Sequence, residues 1–326
     1  MEPLVSVIIV NYNGKHYLEG CIESLKASSY GNLEIILVDN GSKDGSPDFM
    51  RSGYPGIRLI DNGCNLGLAI ASNVGANASE GEYLFFFNND TIADKEMLSK
   101  LVKAAEADER TGVCGCTTMT YDGKEIINSG VACDIYGYPF GEGAPLYVDA
   151  GIFIRRKVFY EIGGFDTKLF LYGEDRDICW RALLYGYDVK VVEEASFRHD
   201  SFCAVKGDTL TTNVWKRHVG ERNLIRTMLK NYSSRTLLRI LPLYMLQSLA
   251  EIAVFTALGR LDVVVNAYLR AYWWNIANIR DTLRLRKRIQ MERRVPDSVI
   301  MERMSKKSGK LLLLKKMGVP KFAATN

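Results

Sequence analysis

Four apolar runs in the first ninety residues each stop at a cluster of Asn, Asp and Gly, and this repeat narrows the possible folds sharply. Leu4–Val10 ends at Asn11-Tyr-Asn-Gly14, Leu33–Val38 at Asp39-Asn-Gly-Ser42, Ile57–Ile60 at Asp61-Asn-Gly63, and Tyr83–Phe87 at Asn88-Asn89-Asp90. Short, continuously apolar runs read as strands buried on both faces of a sheet. Between them, Tyr17, Leu18, Cys21, Ile22 and Leu25 recur at helical spacing, and Leu68–Ala78 reads as a helix of small residues. Strands alternating with helices imply βαβ units, a mostly parallel sheet and right-handed crossovers. Open α/β sheets bind their ligands at the carboxyl ends of the strands. One Asn or Asp at such an end is as readily a helix cap. Four ends with the same chemistry favour a ligand cleft.

Further along, a helix is expected over Lys95–Ala107, a strand over Val113–Met119 and a loop or small hairpin over 121–145. Another strand, Tyr147–Ile154, carries Asp149-Ala-Gly151 and leads into a short helix closed by Gly163-Gly164. Glu174, Asp175 and Asp177 fall in the first turn of the next helix, whose buried face is Ile178, Ala182 and Tyr185. The helix dipole favours acids there and accounts for one or two of them. A short final strand, Val189–Val192, leads to Ser196-Phe-Arg-His-Asp-Ser201, with one of only three histidines, His199. A lone His is more often structural than a ligand.

Several classes are excluded or disfavoured. The first strand is not followed by Gly-x-Gly-x-x-Gly, and no phosphate-loop lysine motif occurs, which argues against nicotinamide enzymes and phosphate-loop kinases. Seven cysteines without regular spacing argue against a disulfide framework. Cys114 and Cys116 share one face of a strand and lack metal-ligating partners in the sequence, so core packing is the better reading. The opening Met1-Glu-Pro runs straight into a strand with no leader pattern, and a reducing cytoplasmic setting is expected.

With 326 residues and 47% hydrophobic content, one large domain plus an appendage is expected, divided as residues 1–230 and 231–326. The net charge of +4 hides an asymmetry: residues 280–321 carry fourteen Lys or Arg against four Asp or Glu, a local +10 on a body of about −6. Leu237–Leu258 is apolar but interrupted by Arg239, Pro242, Gln247 and Glu251, so a membrane crossing is not expected. Tyr268, Tyr272, Trp273 and Trp274 follow, then the basic block. Apolar helices, aromatics and Lys/Arg in that order describe an interfacial anchor on an anionic leaflet. Packing on the main domain, or pairing of two copies through these helices, are the alternatives. Nucleic acid is not expected, since no recognised module accompanies the charge.

Six stretches in consistent order resemble the inverting family 2 glycosyltransferases, and within them the rhamnosyltransferase-like branch. They are Val5–Gly14, Val38–Ser42, Asn65-Leu-Gly67 with Asn73, Phe87–Thr91, Gly163–Asp166 and Tyr172–Asp177, and the resemblance covers roughly residues 4–230. It implies the GT-A nucleotide-sugar fold, an α/β domain with donor and acceptor halves. By this likeness Asp39 contacts the nucleotide base or ribose, with Asn11 close by. Asn65, Gly67, Asn73, Asn88, Asn89 and Asp90 complete the donor side. Asp90 matches the last acid of the family's Asp-x-Asp metal motif, whose first acid is here Asn88, a weaker ligand for a hard cation. His199 matches the histidine that completes the metal site in some relatives, giving Mn²⁺ or Mg²⁺ at Asp90 and His199. Asp175 matches the catalytic base, and Glu174 beside it would raise its pKa. Asp149, Gly151, Asp177, Trp180 and Arg181 are expected on the acceptor side. The resemblance implies a single displacement from a nucleotide-diphosphate sugar, dTDP-rhamnose being one candidate, to a hydroxyl of a lipid-linked saccharide or surface-glycan precursor. The enzyme would work at the cytoplasmic face of a membrane. Rival readings are a sugar-nucleotide pyrophosphorylase, whose Gly-rich Arg/Lys loop is missing, and a non-catalytic relative that binds the donor.

Overall fold

The computed structural model describes residues 2–139, 144–200, 205–206 and 209–323. The chain forms two compact units, Met1–Val131 with Pro145–Ser201, and Ala132–Ala144 with Phe202–Asn326.

The first unit opens with β1 (Val5–Asn11), α1 (Lys15–Lys26), β2 (Leu33–Asp39), α2 (Ser46–Gly53), β3 (Arg58–Asp61), α3 (Leu68–Ala78) and β4 (Tyr83–Asn88). It continues through β5 (Thr91–Ala93), α4 (Met97–Glu106), β6 (Thr111–Thr120), β7 (Ile126–Ser129), β8 (Gly151–Arg155), α5 (Arg156–Glu161), α6 (Glu174–Leu184) and β9 (Asp188–His199). The nine strands make one sheet in the order β3-β2-β1-β4-β8-β6-β9-β5, with β7 paired to β6. The first four strands are parallel, as their βαβ pattern requires. Beyond β4 the sheet is mixed: β8 runs antiparallel to both β4 and β6, β6 is parallel to β9, and β5 is antiparallel to β9. Residues 121–125 join β6 to β7 and are too few for a crossover, which obliges the antiparallel hairpin.

β1 and β4 are buried on both faces. On one side Phe85 stacks on Phe87 with ring centroids 4.9 Å apart, and Tyr83 on Phe153 at 4.7 Å. On the other, Phe86 meets Phe159 and Phe165. The small residues of α3 serve close packing. A Cβ at Gly75 would lie 2.4 Å from Ile8 Cγ2 and 3.1 Å from Val38 Cγ2. Gly75→Ala is therefore expected to cost about 1–3 kcal/mol by overpacking, measurable by denaturant unfolding. An unchanged midpoint would mean that α3 can move off the sheet.

Two strands differ from the sequence expectation. β8 begins at Gly151 rather than Tyr147, which makes only an isolated bridge to Val131. β9 runs to His199 instead of stopping at Val192, because its outer half, Glu193–His199, alternates buried and exposed side chains and so lacks a continuous apolar run. Cys114 and Cys116 are both buried in the core, and burial pushes the Cys114 thiol up to about 12.

The second unit is helical: α7 (Val214–Asn231), α8 (Ser234–Ala257), α9 (Leu261–Val263) continuing through a π-helical Val264–Leu269 into α10 (Arg270–Ala277), then α11 (Ile279–Glu292), α12 (Asp297–Glu302) and α13 (Gly309–Met317). α7, assigned from sequence to the residue 1–230 domain, is tied into this unit by the pairs Arg217–Glu251 at 2.5 Å and Arg226–Asp281 at 2.6 Å. Among the described residues, α8 is long and apolar enough to cross a membrane by length and composition.

Candidate active site

The register of the parallel strands collects the polar strand ends. Asn11 pairs with Asp39, Asp39 with Asp61, and Val10 with Asn88. Asn11 and Asp39 are fully buried. Asn11 Nδ2 donates to Asp39 Oδ1 at 3.0 Å and to Ser42 Oγ at 3.1 Å, while Asn89 Nδ2 donates to Asn11 Oδ1 at 2.7 Å. Asp39 Oδ2 accepts from the amides of Gly41 and Ser42, which folds the turn after β2 around the carboxylate. Asn40 donates to Asn65 Oδ1 at 3.0 Å and accepts from Asn62 and the Leu66 amide, linking the turn after β2 to the turn after β3. Gly67 starts α3 with φ +84°, and a Cβ there would strike the Phe170 ring at 2.5 Å.

At the end of β4, Asp90 Oδ1 lies 3.1 Å from His199 Nε2, and Asn88 Nδ2 lies 3.5 Å from the same nitrogen. The pairing of β5 with β9 sets Thr91 opposite His199 and creates this contact between residues remote in sequence. A carboxylate oxygen and an imidazole nitrogen this close suit a divalent cation of the Mn²⁺ or Mg²⁺ type. Among the described residues no third His, Cys, Asp or Glu joins them, so further ligands would come from outside the protein.

The acidic cluster sits at the start of α6. Its approach is unusual, because Phe170 (φ +51°), Tyr172 (φ +67°) and Gly173 (φ +90°) all adopt left-handed backbone. For Phe170 and Tyr172 this costs on the order of 1–3 kcal/mol each, the kind of strain that marks functional turns. The turn delivers Glu174 buried and Asp175 half-buried. Burial, then the charge of Asp149, raises the Asp175 carboxyl to about 6. Burial, then the charge of Asp175, raises Glu174 to about 8. Asp149 is thus a second acid acting on Asp175, beside the Glu174 that the sequence pointed to, whose repulsion with Asp175 is mutual. Glu174 Oε2 and Asp149 Oδ1 are buried without a hydrogen-bond partner among the described residues. Burial also raises Asp149, and the nearby His199 opposes that rise, so Asp149 lies within electrostatic reach of both Asp175 and His199.

Other expected ligands are positioning residues in this structure. Asn73 uses its amide on the backbone of Phe165, donating to the carbonyl at 2.9 Å and accepting from the N–H at 3.0 Å. Asp177 and Arg181 form a buried ion pair at 2.9 Å, and Arg181 also donates to the carbonyls of Ile162 and Gly164. Trp180 is fully buried, and Gly151 lies on the interior, where a Cβ would approach the Phe197 ring at 3.0 Å. The sequence reading missed Asn128, which donates to Asp149 Oδ2 at 3.5 Å, and Asn40. Asn40 stood in a turn already singled out, whereas Asn128 lay in a stretch without periodicity.

Residues 6–163 match the model of the family described as "Glycosyl transferase family 2". Over residues 6–163, just under half of the chain, the sequence matches a family 2 glycosyltransferase domain. A glycosyltransferase of Streptococcus pneumoniae, GlyG, is 33% identical over 119 residues, 35% of this chain and 39% of that protein. The N-acetylglucosaminyl-diphospho-decaprenol L-rhamnosyltransferase of Mycobacterium tuberculosis is 26% identical over 216 residues, 55% of this chain and 70% of that one. The chain spans 34–39% of the length of several other curated relatives it matches. Among solved structures, the mannosyltransferase PcManGT from Pyrobaculum calidifontis, in complex with GDP-Man and Mn²⁺, superposes with a TM-score of 0.54 at 19% identity. That superposition covers 90% of this chain and 86% of that one, and it confirms the GT-A type of fold. The family match and the fold together mark a glycosyltransferase domain, and its polar strand edge lies at the carboxyl ends of the parallel strands.

Proposed function

We propose that this glycosyltransferase inverts the anomeric centre in one displacement, with Asp175 as the general base. The observation that carries this reading is the Asp175 carboxyl, half-buried at a strained helix start and raised to about 6, near enough to neutrality to take a proton from an attacking hydroxyl. Glu174, raised to about 8, stays protonated at neutral pH and can donate a hydrogen bond beside it. Asn11, Asp39, Asn40 and Asn65 form a preset hydrogen-bonded edge for the nucleoside, held by each other before any ligand arrives.

Asp90 and His199 would hold a divalent cation, Mn²⁺ or Mg²⁺, with Asn88 and Asn89 beside them. When bound, the ion would neutralise charge developing on the departing nucleoside diphosphate. The donor we favour is dTDP-rhamnose, and the acceptor a lipid-linked saccharide or surface-glycan precursor. The mycobacterial relative, an L-rhamnosyltransferase named for N-acetylglucosaminyl-diphospho-decaprenol, supports a rhamnosyl donor and a lipid-linked saccharide acceptor. A lipid-linked acceptor places the chain peripherally on the cytoplasmic face of a membrane.

Thermal-shift measurements with UDP-, GDP- and dTDP-sugars, each with and without Mn²⁺, test the donor. The dTDP-sugar is expected to raise Tm most, and only with the cation present. Exhaustive chelation is expected to abolish most transfer, and Asp90→Ala to remove the Mn²⁺ dependence of the shift. Full activity after chelation would overturn the assignment of Asp90 and His199.

A further inference from the structure

α8 is built inside out. An ordinary surface helix turns its apolar stripe inward and its polar residues to water. The inward face of α8 instead carries Tyr244, Gln247, Ser248 and Glu251 among its members. Tyr244 donates to Glu221, Ser248 pairs with Tyr272, and Glu251 meets Arg217 at 2.5 Å and Lys310 at 3.4 Å. Its outward face carries Leu238 (78% exposed), Leu246 (64%) and Leu249 (54%), with Leu243, Val254 and Leu258 also exposed. At 100° per residue Leu238, Leu246 and Leu249 fall on one arc opposite the buried side chains, while Leu243, Val254 and Leu258 lie nearer the buried side. The next helical segment also exposes apolar side chains. Leu261, Val265, Leu269, Trp273 and Ile276 are exposed at about one-turn intervals, while Val263, Ala267, Tyr268 and Ala271 are buried. Folded monomers rarely leave contiguous apolar surface of this kind to water.

We propose that the outward face of α8 docks in the plane of an anionic lipid leaflet, immersed on one side only. Choosing a bilayer over a protein partner rests in part on the lipid-linked acceptor proposed above. Charge gives independent support, since Arg235 and Arg239 flank Leu238 at the exposed end of α8 and residues 280–321 carry a local +10. The helix has the length and hydropathy to span. Its inner side, however, is packed against Arg217 and Glu221 of α7 and Lys310 of α13. Spanning would carry those charges into hydrocarbon. Lying flat buries the leucines to a depth of about 5–10 Å and leaves the ion pairs within protein.

The test is flotation of the full chain with vesicles of phosphatidylcholine alone or with phosphatidylglycerol added. It is repeated for the double variant Leu246→Glu/Leu249→Glu, with thermal unfolding as the check on folding. The wild type is expected to float with the anionic vesicles and to be released by alkaline carbonate. The double variant should lose about tenfold or more in binding while unfolding at the same temperature and releasing nucleotide from donor sugar at the same rate in solution. Equal flotation of the variant overturns the α8 assignment but leaves a membrane-bound enzyme. Retention through carbonate overturns the in-plane geometry. If the wild type binds no vesicles and is instead a dimer that the variant dissociates, the face joins two copies, and the membrane reading falls with it. Transfer of sugar to a water-soluble acceptor at full rate, with flotation intact, would overturn the lipid-linked acceptor and not the docking face.

Discussion

Asp175→Asn is expected to lower the transfer rate by on the order of 10²–10⁴, the usual contribution of a positioned general base. Asn keeps the size and the hydrogen bond that Asp175 accepts from the Arg176 amide at 2.6 Å, so folding should survive while the proton acceptor is lost. The pH profile carries the sharper signature. Only deprotonated Asp175 can act as base, so wild-type kcat/KM should rise with pH and level off above about 6. The variant's residual rate should lack that limb. Because the charge of Asp175 helps hold Glu174 near 8, the variant should also lower the Glu174 pKa. Stability should move the opposite way. Both carboxyls are raised above their unfolded values of 3.8 and 4.5, so the native state binds the extra protons. Their contribution is fully present below about 4 and is lost as pH climbs through 6 and then 8. Transfer at the wild-type rate by Asp175→Asn would remove the base assignment. A retained acid limb in the variant would assign the titration to another group.

The second large effect is on stability. Arg181→Leu is expected to cost about 3–5 kcal/mol, because it leaves the fully buried Asp177 carboxylate without its cation. It also strands the Ile162 and Gly164 carbonyls that the guanidinium satisfies at 2.6 and 2.7 Å. Removing both charges together, as Asp177→Leu/Arg181→Leu, should recover part of the loss, since a well-packed apolar pair can replace a buried ion pair at small net cost. Denaturant unfolding of the wild type and these two variants decides it. A single-variant loss below about 1 kcal/mol would mean that water reaches the pair.

These residues show what could and could not be read in advance. β1 to β4 were legible because strands buried on both faces are continuous apolar runs, and Asp39, Asn88 and Asp90 stand where those runs stop. The mixed half was less so. β9 was cut at Val192 because its outer half faces two environments, and that half is what brings His199 to Asp90. The acids at the head of α6 announced themselves by composition. Their division of labour did not: Asp177 belongs to an internal clamp, while Asp175 also feels the charge of Asp149, which no spacing rule connects to it. The same blindness held in the tail. Hydropathy identified α8 as apolar, but only the burial of Tyr244, Gln247 and Glu251 reveals that the apolar side is the outer one.

The pairing of β5 with β9 has a consequence for synthesis. The polar edge around Asn11, Asp39 and Asn65 is closed by contacts among the first hundred residues, whereas Asp90 meets His199 across a sequence gap of 109. Loop closure over such a distance comes late, and a chain leaving the ribosome cannot make the contact until residue 199 has emerged. Nascent chains should therefore complete the polar edge well before they own the pair beside it. The two halves of the proposed site would then mature at different times, the edge first and the Asp90–His199 pair last.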